Sequence, residues 1–309
     1  MYAFRKPFTA GAYEGLSLWG VQFKIILVVA QVAGYALSKF IGIRIISGMK
    51  TLYRGRYLLV LIGVAWLSLV GFALTPFPLN AIWLFFNGLP LGMIWGLVFS
   101  YLEGRRTTEI LAAVLSVNFI ISSGFVKTVG RWLLDAGISE WWMPAVAGLL
   151  FFPLLFLSVW ALEQLPQPSS SDLDARSERF PMTGADRKAL FLRFAPGLML
   201  LTGIYLLLTI VRDVRDNFAV EIWTDLGLGS QPALLTTAEM PIAVLTLAGI
   251  SALILLRDNF TAFRVNLALS IGGALLLAAS TWSFQAGYLG PVIWMVLSGF
   301  GLFLPYVIF

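Results

Sequence analysis

The stretch LLTGIYLLLTIVRDVRDNF, from Leu200 to Phe218, decides the class of fold. Its first twelve residues carry no charge, and four charged residues then follow within five positions: Arg212, Asp213, Arg215 and Asp216. A charge at membrane depth is costly, so such residues normally face the protein interior or a water-filled cavity and mark a function. The stretch therefore predicts a membrane-spanning helix with a functional, inward-facing end.

Helical geometry places this charged run on one side of the helix, because at about 100° per residue the four charged side chains share one face. The opposite face carries Leu207, Val211, Val214 and Phe218. Two interpretations remain open. The run is either a ligand or gating site, or a buried salt-bridge network in which Arg212 and Asp216 pair one turn apart.

Composition assigns the whole chain to the same class. Of its 309 residues 59% are apolar and 12% charged, and the mean hydropathy is +0.87. This predicts an all-α polytopic membrane protein. The absence of Cys and His excludes disulfides, thiolate metal sites and the usual catalytic triads. The net charge of +5 lies mostly in short loops between the spans, where membrane topology explains the basic residues better than nucleic-acid binding does. We therefore expect a monomer in the lipid bilayer that is not an enzyme and has no metal, cofactor or nucleic-acid partner.

Nine apolar segments are long enough to cross a bilayer, which takes about 20 helical residues. They are Lys24–Ile46, Tyr57–Leu74, Asn80–Tyr101, Ile110–Leu134, Trp142–Leu162, Leu190–Ile222, Ala233–Leu256, Phe263–Trp282 and Pro291–Phe309. The run from Met1 to Thr9 is interpreted as the end of a further helix. Because neither terminus has a polar flank, we expect a fragment cut at both ends. Gly88, Gly92 and Gly96 recur every four residues and favour a close-packing face.

Basic residues occupy every second connection between these segments. They are Lys50, Arg54, Arg56, Arg105, Arg106, Arg257 and Arg264, together with those between Arg176 and Arg193. The intervening connections, such as Thr75–Asn80 and Asp135–Glu140, contain no Lys or Arg. The positive-inside rule places the basic connections in the cytoplasm. We therefore expect a multi-pass protein of the cytoplasmic (inner) membrane.

A polar stretch divides the chain into two halves. We predict an N-terminal six-helix half at 1–163 with an incomplete first helix, a cytoplasmic linker at 164–188, and a C-terminal half at 189–309 with helices seven to ten. This is a two-half helical bundle with about ten of twelve helices. Transporters built from two such halves bind their substrate near the membrane midplane.

Four motifs carry a family resemblance: YAFRKPF at Tyr2–Phe8, GYALSKFIG at Gly34–Gly42, WMPA at Trp142–Ala145 and LLTIVR at Leu207–Arg212. They are similar to the major facilitator superfamily in its organophosphate:phosphate antiporter branch. They resemble more closely a bacterial family of major-facilitator-like membrane proteins that has no assigned substrate. The resemblance implies a major-facilitator-type bundle and transport by alternating access.

The resemblance to the antiporters also implies a binding site. In those proteins an arginine on the first helix of each half clamps phosphate and a lysine on the second helix assists, which places these roles on Arg5, Arg212 and Lys39. A guanidinium offers a planar fork of donors that matches phosphate or carboxylate oxygens, and an ammonium acts as a point charge. We therefore predict a secondary transporter for a small anionic solute, with phosphate esters as one class.

The chain also departs from the antiporter pattern. The antiporters have a histidine on the fifth helix, whereas Ser116–Gly124 contains no titratable side chain. Asn118 in this stretch is a coupling or gating candidate, as are Asp213, Arg215 and Asp216.

Glu239 precedes Met240 and Pro241 and is the last candidate for coupling or gating. Burial would suit it to carry a proton or cation, and pairing with Lys127 or Arg131 is the alternative. Two further functions therefore stay open. One is a non-transporting membrane sensor or scaffold with a transporter fold. The other is a proton- or cation-coupled carrier of a non-phosphate solute that uses Glu239 and the aspartates near Arg212.

Overall fold

A computed structural model describes residues 1–47, 53–105, 107–166, 169, 172, 183–256 and 258–308, with the side chains of 43–47 left out. The predicted cytoplasmic residues Lys50, Arg106, Arg176 and Arg257 lie outside the described residues, as does most of the predicted linker. The end of that linker is helical, because a helix already begins at Gly184.

Helices make up almost all of the described chain. They are α1 (Phe23–Ser47), α2 (Arg54–Leu74), α3 (Ala81–Leu102), α4 (Thr108–Asp135), α5 (Met143–Leu150), α6 (Phe152–Glu163), α7 (Gly184–Asn217), α8 (Ala219–Asp225), α9 (Leu234–Thr237), α10 (Glu239–Ile254), α11 (Asn259–Gln285) and α12 (Pro291–Ile308). Two 3₁₀ helices, Tyr2–Phe4 and Pro7–Ala10, and two short strands, β1 (Ser17–Leu18) and β2 (Val21–Gln22), precede α1.

The predicted membrane class is confirmed at the level of helix length and composition. Within the described residues, eight helices are long and apolar enough to cross a bilayer, and the bent pair α5–α6 brings the number to nine. These elements cover the nine predicted apolar segments. The chain is therefore an all-α polytopic membrane protein.

The first ten residues differ from the prediction. Instead of the end of a spanning helix, they form the two 3₁₀ helices, which are separated by Arg5 and Lys6. Proline has no amide hydrogen, and its ring would clash with the carbonyl four residues earlier in an α-helix. The apolar run alone does not reveal this, because it matches the composition of a spanning helix.

Three predicted segments are broken, and the break in Ala233–Leu256 lies at Ala238, between α9 and α10. The span Trp142–Leu162 bends by 45° between α5 and α6, where Pro153 in the first turn of α6 removes a backbone donor. The span Leu190–Ile222 breaks at Phe218, which separates α7 from α8. Hydropathy does not reveal the bend between α5 and α6, because the residues around it are apolar, whereas the break at Phe218 directly follows the charged run Arg212–Asp216.

The chain forms two compact units. Unit 1 contains Met1–Glu103, Asn118–Gln167 and Asn217–Met240, and unit 2 contains Gly104–Val117, Pro168–Asp216 and Pro241–Phe309. The segment Asn217–Met240, with α8 and α9, thus belongs to unit 1 although it follows α7 in the sequence.

Glycines allow a close helix contact in unit 1. A Cβ atom built on Gly34 of α1 would lie 2.1 Å from the Phe85 carbonyl oxygen, and one on Gly88 of α3 would lie 2.2 Å from the Gln31 carbonyl oxygen. The same atom on Gly92 would lie 2.6 Å from the Tyr35 carbonyl oxygen. The predicted close-packing face is confirmed for Gly88 and Gly92, where the backbones of α1 and α3 touch.

A loop and a hairpin lead from the 3₁₀ helices into α1. The strands pair Ser17 with Gln22 and Leu18 with Val21, and Trp19 and Gly20 between them both have positive φ, as a two-residue hairpin turn requires. Before the hairpin, the Glu140 carboxylate accepts hydrogen bonds from the backbone amides of Ala12, at 2.7 Å, and Tyr13. This carboxylate therefore fixes the loop.

Tyr13 anchors this loop in the core of unit 1. Its side chain is buried against Phe23, Phe72 and Trp141, and its hydroxyl donates to the Phe8 carbonyl oxygen. Burial raises the pKa of the Tyr13 phenol well above its ordinary value, and the Glu140 carboxylate raises it further. The neutral phenol is thus the form that the fold requires.

This shift predicts an alkaline loss of stability. Because the pKa of Tyr13 is raised in the folded state, the neutral phenol stabilises the fold fully below about pH 10, the pKa of tyrosine in the unfolded chain. This stabilisation is lost as the pH rises above that value. We expect Tyr13→Phe to remove up to about 1.4 kcal/mol of the destabilisation that wild type suffers between about pH 9 and about pH 11. Thermal unfolding across this range measures it, with Tyr288→Phe as the control because Tyr288 is exposed. Equal alkaline losses in wild type and Tyr13→Phe would refute the assignment.

Unit 2 has its own glycine contact. A Cβ atom on Gly273 of α11 would lie 2.5 Å from the Gly301 carbonyl oxygen of α12, and one on Gly301 would lie 2.6 Å from the Gly273 carbonyl oxygen. Pro305 of α12 packs over Gly273. The two helices therefore meet backbone to backbone, which holds α12 and its tyrosine, Tyr306, in place.

Candidate functional site

Arg5 is a buried cation of unit 1, with 5% of its surface exposed. Its guanidinium carbon lies 4.2 Å from the centre of the Tyr35 ring of α1, within the range of a cation–π interaction. Within the described residues, the Arg5 side chain has no ion pair or hydrogen bond, and its buried Nε atom has no partner. A buried charge is costly without a counter-ion, so this position suits an anion that the protein does not itself supply.

Lys39 lies one helical turn after Tyr35 on α1. Its side chain is exposed, and its Nζ atom lies 5.1 Å from the centre of the same tyrosine ring that contacts Arg5. No carboxylate pairs with Lys39 in the described part of the chain. Two of the three predicted binding residues therefore contact one aromatic ring. The sequence did not identify this ring, Tyr35, as part of the site.

The backbone around Arg5 is held by side chains from distant helices. The Phe4 carbonyl accepts from Asn87 Nδ2 at 2.9 Å, the Arg5 carbonyl accepts from Gln31 Nε2 at 2.9 Å, and the Thr9 carbonyl accepts from Lys24 Nζ at 2.7 Å. Backbone that is not α-helical leaves carbonyl groups unpaired, and at membrane depth it is tolerated only where protein groups satisfy them. These contacts permit the 3₁₀ geometry and so position Arg5.

Asn87 of α3 is the centre of this support. It is fully buried, and its amide also donates to the Ala65 carbonyl oxygen at 2.8 Å and accepts from Gln31 Nε2 at 2.7 Å. One side chain thus connects the 3₁₀ segment with α1, α2 and α3. A polar network of this kind stabilises a single arrangement when every member is satisfied.

Arg212, the third predicted binding residue, lies on α7 in unit 2. Its guanidinium carbon lies 4.3 Å from the centre of the Tyr306 ring of α12, and its Nη1 atom donates to the Tyr306 hydroxyl at 2.8 Å. Tyr306 in turn stacks on Tyr205 with the ring centres 5.5 Å apart. Arg212 also forms an ion pair with Asp213, so an internally paired charge is part of this site.

The remaining charges of the run follow the predicted register. Arg215 is buried, donates to the Met295 carbonyl oxygen at 3.1 Å and lies over the Phe303 ring. Asp216 is half-buried. By contrast, the opposite side of α7 is open: Leu207, Val211 and Val214 are 65%, 43% and 54% exposed. The one-sided charged face is confirmed within α7, whereas Phe218, which was predicted on the opposite face, lies after the end of α7 and is half-buried. Arg215 connects α7 with α12.

The other two candidates have local surroundings. Asn118 is exposed on α4, and its side-chain oxygen accepts from Ser122 on the same helix at 2.7 Å. Glu239 packs against α4, since its Cγ atom lies 3.2 Å from a Cβ atom built on Gly124. This is the helix that carries Lys127, one of its two predicted partners. Among the described residues, no group of three or more acidic side chains could hold a metal ion.

Two buried lysines of unit 1 were not predicted as site residues from the sequence. Lys6 donates to the Asn217 side-chain oxygen at 2.7 Å, and Lys24 forms an ion pair with Glu221. Both lysines are buried, with about 2% of their surface exposed. For Lys24 the sequence did carry a signal, because this lysine lies at the start of a predicted apolar span. A charge in such a position normally has a partner or a function. Their partners lie more than 190 positions away in the sequence.

Comparison with known proteins gives one match. Residues 7–309 match a family described as a family of unknown function (DUF5690). The match includes Lys39 and Arg212, and it begins just after Arg5 and Lys6. No curated protein and no solved structure matches the chain.

Proposed function

The chain belongs to the family of unknown function DUF5690, and because this membership assigns no activity, we propose a function from the buried cations. The protein is a secondary transporter of the major-facilitator type that moves a small anionic solute across the cytoplasmic membrane by alternating access. Phosphate esters are the leading solute class. Arg5 and Lys39 supply the anion contacts of unit 1, and Arg212 supplies that of unit 2.

One observation carries the proposal: Arg5 is a buried guanidinium without a counter-ion among the described residues. Burying such a charge without a partner costs several kcal/mol, and the cost is recovered when an anionic ligand binds. The Arg5 guanidinium and the Lys39 ammonium both contact the Tyr35 ring. A fork and a point charge together suit phosphate or carboxylate oxygens.

Arg212 supports the same proposal from unit 2. Like Arg5 it lies on a tyrosine ring, and Tyr306 fixes the orientation of its fork. Its ion pair with Asp213 must weaken for an incoming anion to bind both guanidinium nitrogens. We propose that this exchange of partners gives the protein a state with the solute bound and a state with the ion pair intact. The basic connections of the sequence further support a cytoplasmic position for the linker at 164–188.

Ligand-dependent thermal stability tests the anion site. A ligand that binds only the folded protein stabilises it by about 2.7 kcal/mol at 100 times its dissociation constant. We expect inorganic phosphate, a sugar phosphate or a dicarboxylate to raise the unfolding temperature at constant ionic strength. The rise should disappear in Arg212→Ala and fall at least about tenfold in apparent affinity in Arg212→Lys, which keeps the charge but loses the fork.

Arg264→Ala is the matched control, because Arg264 also lies over an aromatic ring, that of Phe260, but is exposed. It should respond to the anion as wild type does. If no anion stabilises the wild type, or if Arg212→Ala responds equally, the proposed site is wrong. Uptake of the stabilising anion into proteoliposomes then separates a transporter from a sensor, which would bind the anion without flux.

A further inference from the structure

The surroundings of Lys24 have the composition of a cation site. Its ammonium nitrogen donates to the Thr9 carbonyl oxygen at 2.7 Å and to Glu221 Oε1. The Phe218 ring lies 5.7 Å from the nitrogen, within the range of a cation–π contact. A carbonyl, a carboxylate and an aromatic ring are all groups that bind small cations.

The two oxygen ligands of Lys24, the Thr9 carbonyl and the Glu221 carboxylate, belong to other elements of the fold than the lysine. Thr9 is fully buried and belongs to the second 3₁₀ helix, and within the described residues its carbonyl oxygen receives only the Lys24 ammonium. Glu221 Oε2 is also buried and has no hydrogen-bond partner in the described part of the chain. Without a cation, the buried Thr9 carbonyl and the Glu221 carboxylate, whose side chain is 35% exposed, would face each other with no donor between them, which is unfavourable.

We infer that the Thr9 carbonyl and the Glu221 carboxylate form a binding site for a small monovalent cation, and that the Lys24 ammonium fills it as a tethered cation. The ammonium links the start of α1 and the 3₁₀ segment to α8. Because the charge is covalently attached, this link needs no cation from the medium. Removing the lysine side chain opens a site for ammonium, an alkylammonium or an alkali ion.

Chemical rescue of Lys24→Ala tests the inference on the intact chain. The unfolding temperature is measured in choline, ammonium, n-propylammonium and sodium chloride at equal ionic strength. Wild type should unfold within about 1 °C of the same temperature in all four salts. In choline, which is too large for the site, the variant should unfold about 5 °C or more below wild type. Ammonium, n-propylammonium or sodium should restore about half of this loss or more.

Glu221→Gln in the Lys24→Ala background is the matched control. It removes the charge that would attract the cation, so the double variant should be more stable than Lys24→Ala in choline and should not respond to the choice of salt. Equal unfolding temperatures of Lys24→Ala in all four salts would overturn the inference. If Lys24→Ala cannot be purified, Lys24→Ser is measured in its place, since serine also vacates the site, and the same two outcomes decide.

The experiment is independent of the anion site. It uses no anionic solute and reads stability alone, so a failure of the proposed transport function leaves its result unchanged. Rescue by small cations also separates a cation site from a purely structural ion pair, because the loss of a structural pair would reduce stability equally in every salt.

Discussion

Asn87→Leu is expected to lower the free energy of unfolding by about 3–5 kcal/mol. Asn87 is fully buried and makes three hydrogen bonds, to the carbonyls of Phe4 and Ala65 and from Gln31. Leucine has nearly the same shape but can make none of them. The Phe4 carbonyl has no helical amide to replace the lost donor, and each buried unsatisfied group costs about 1–3 kcal/mol.

Thermal or denaturant unfolding of the purified protein measures this loss. Asn266→Leu is the matched control, because Asn266 is an asparagine of α11 that makes a single side-chain hydrogen bond, to the Ile308 carbonyl oxygen at 3.1 Å. It should lose only about 1 kcal/mol. Since Asn87 supports the backbone before Arg5, its replacement should also weaken any anion-dependent stabilisation. A loss no larger than that of the control would show that the 3₁₀ segment does not depend on Asn87.

Gly88→Ala is expected to destabilise the protein by about 3 kcal/mol or more. The added Cβ would lie 2.2 Å from the Gln31 carbonyl oxygen and 2.9 Å from the Tyr35 amide nitrogen. Both atoms belong to the backbone of α1, so no side-chain rotation relieves the clash, and α1 must move away from α3. The intrinsic preference of alanine over glycine in a helix, about 1 kcal/mol, is too small to compensate.

Gly63→Ala provides the control for this prediction. Gly63 lies inside α2, and no atom comes within 4 Å of a Cβ built there. The substitution should leave stability unchanged or raise it by up to about 1 kcal/mol. Equal unfolding temperatures for Gly88→Ala and Gly63→Ala would show that α1 and α3 are not in backbone contact.

The charged run on α7 shows what a single sequence can predict and what it cannot. The helical period of 3.6 residues placed Arg212, Asp213, Arg215 and Asp216 on one face, and the exposure of the two sides of α7 confirms it. The helical period did not predict which residues of other helices the arginines contact. Arg212 lies on Tyr306 and Arg215 on Phe303 because α12 packs against α7, and both tyrosine and phenylalanine are ordinary residues of an apolar span.

The N-terminal segment marks the opposite limit. Its composition matched the end of a spanning helix, and Pro7 was the one local sign of an interruption. Whether the chain could tolerate 3₁₀ geometry there depended on Asn87, Gln31 and Lys24, which satisfy its carbonyl groups from three distant positions. A polar residue inside an apolar span is visible in the sequence, but the atom that it serves is not.

The sequence by itself determined the membrane class, the approximate positions of the spans and the charged face of α7. These follow from hydropathy and helical period, which are properties of neighbouring residues. Only the tertiary structure decided which ring holds Arg5 and Lys39, that Arg5 lacks a counter-ion among the described residues, and that Lys24 meets Glu221. Lys24 and Glu221 are 197 positions apart, and a single sequence carries no signal for which helices bring two such distant side chains together.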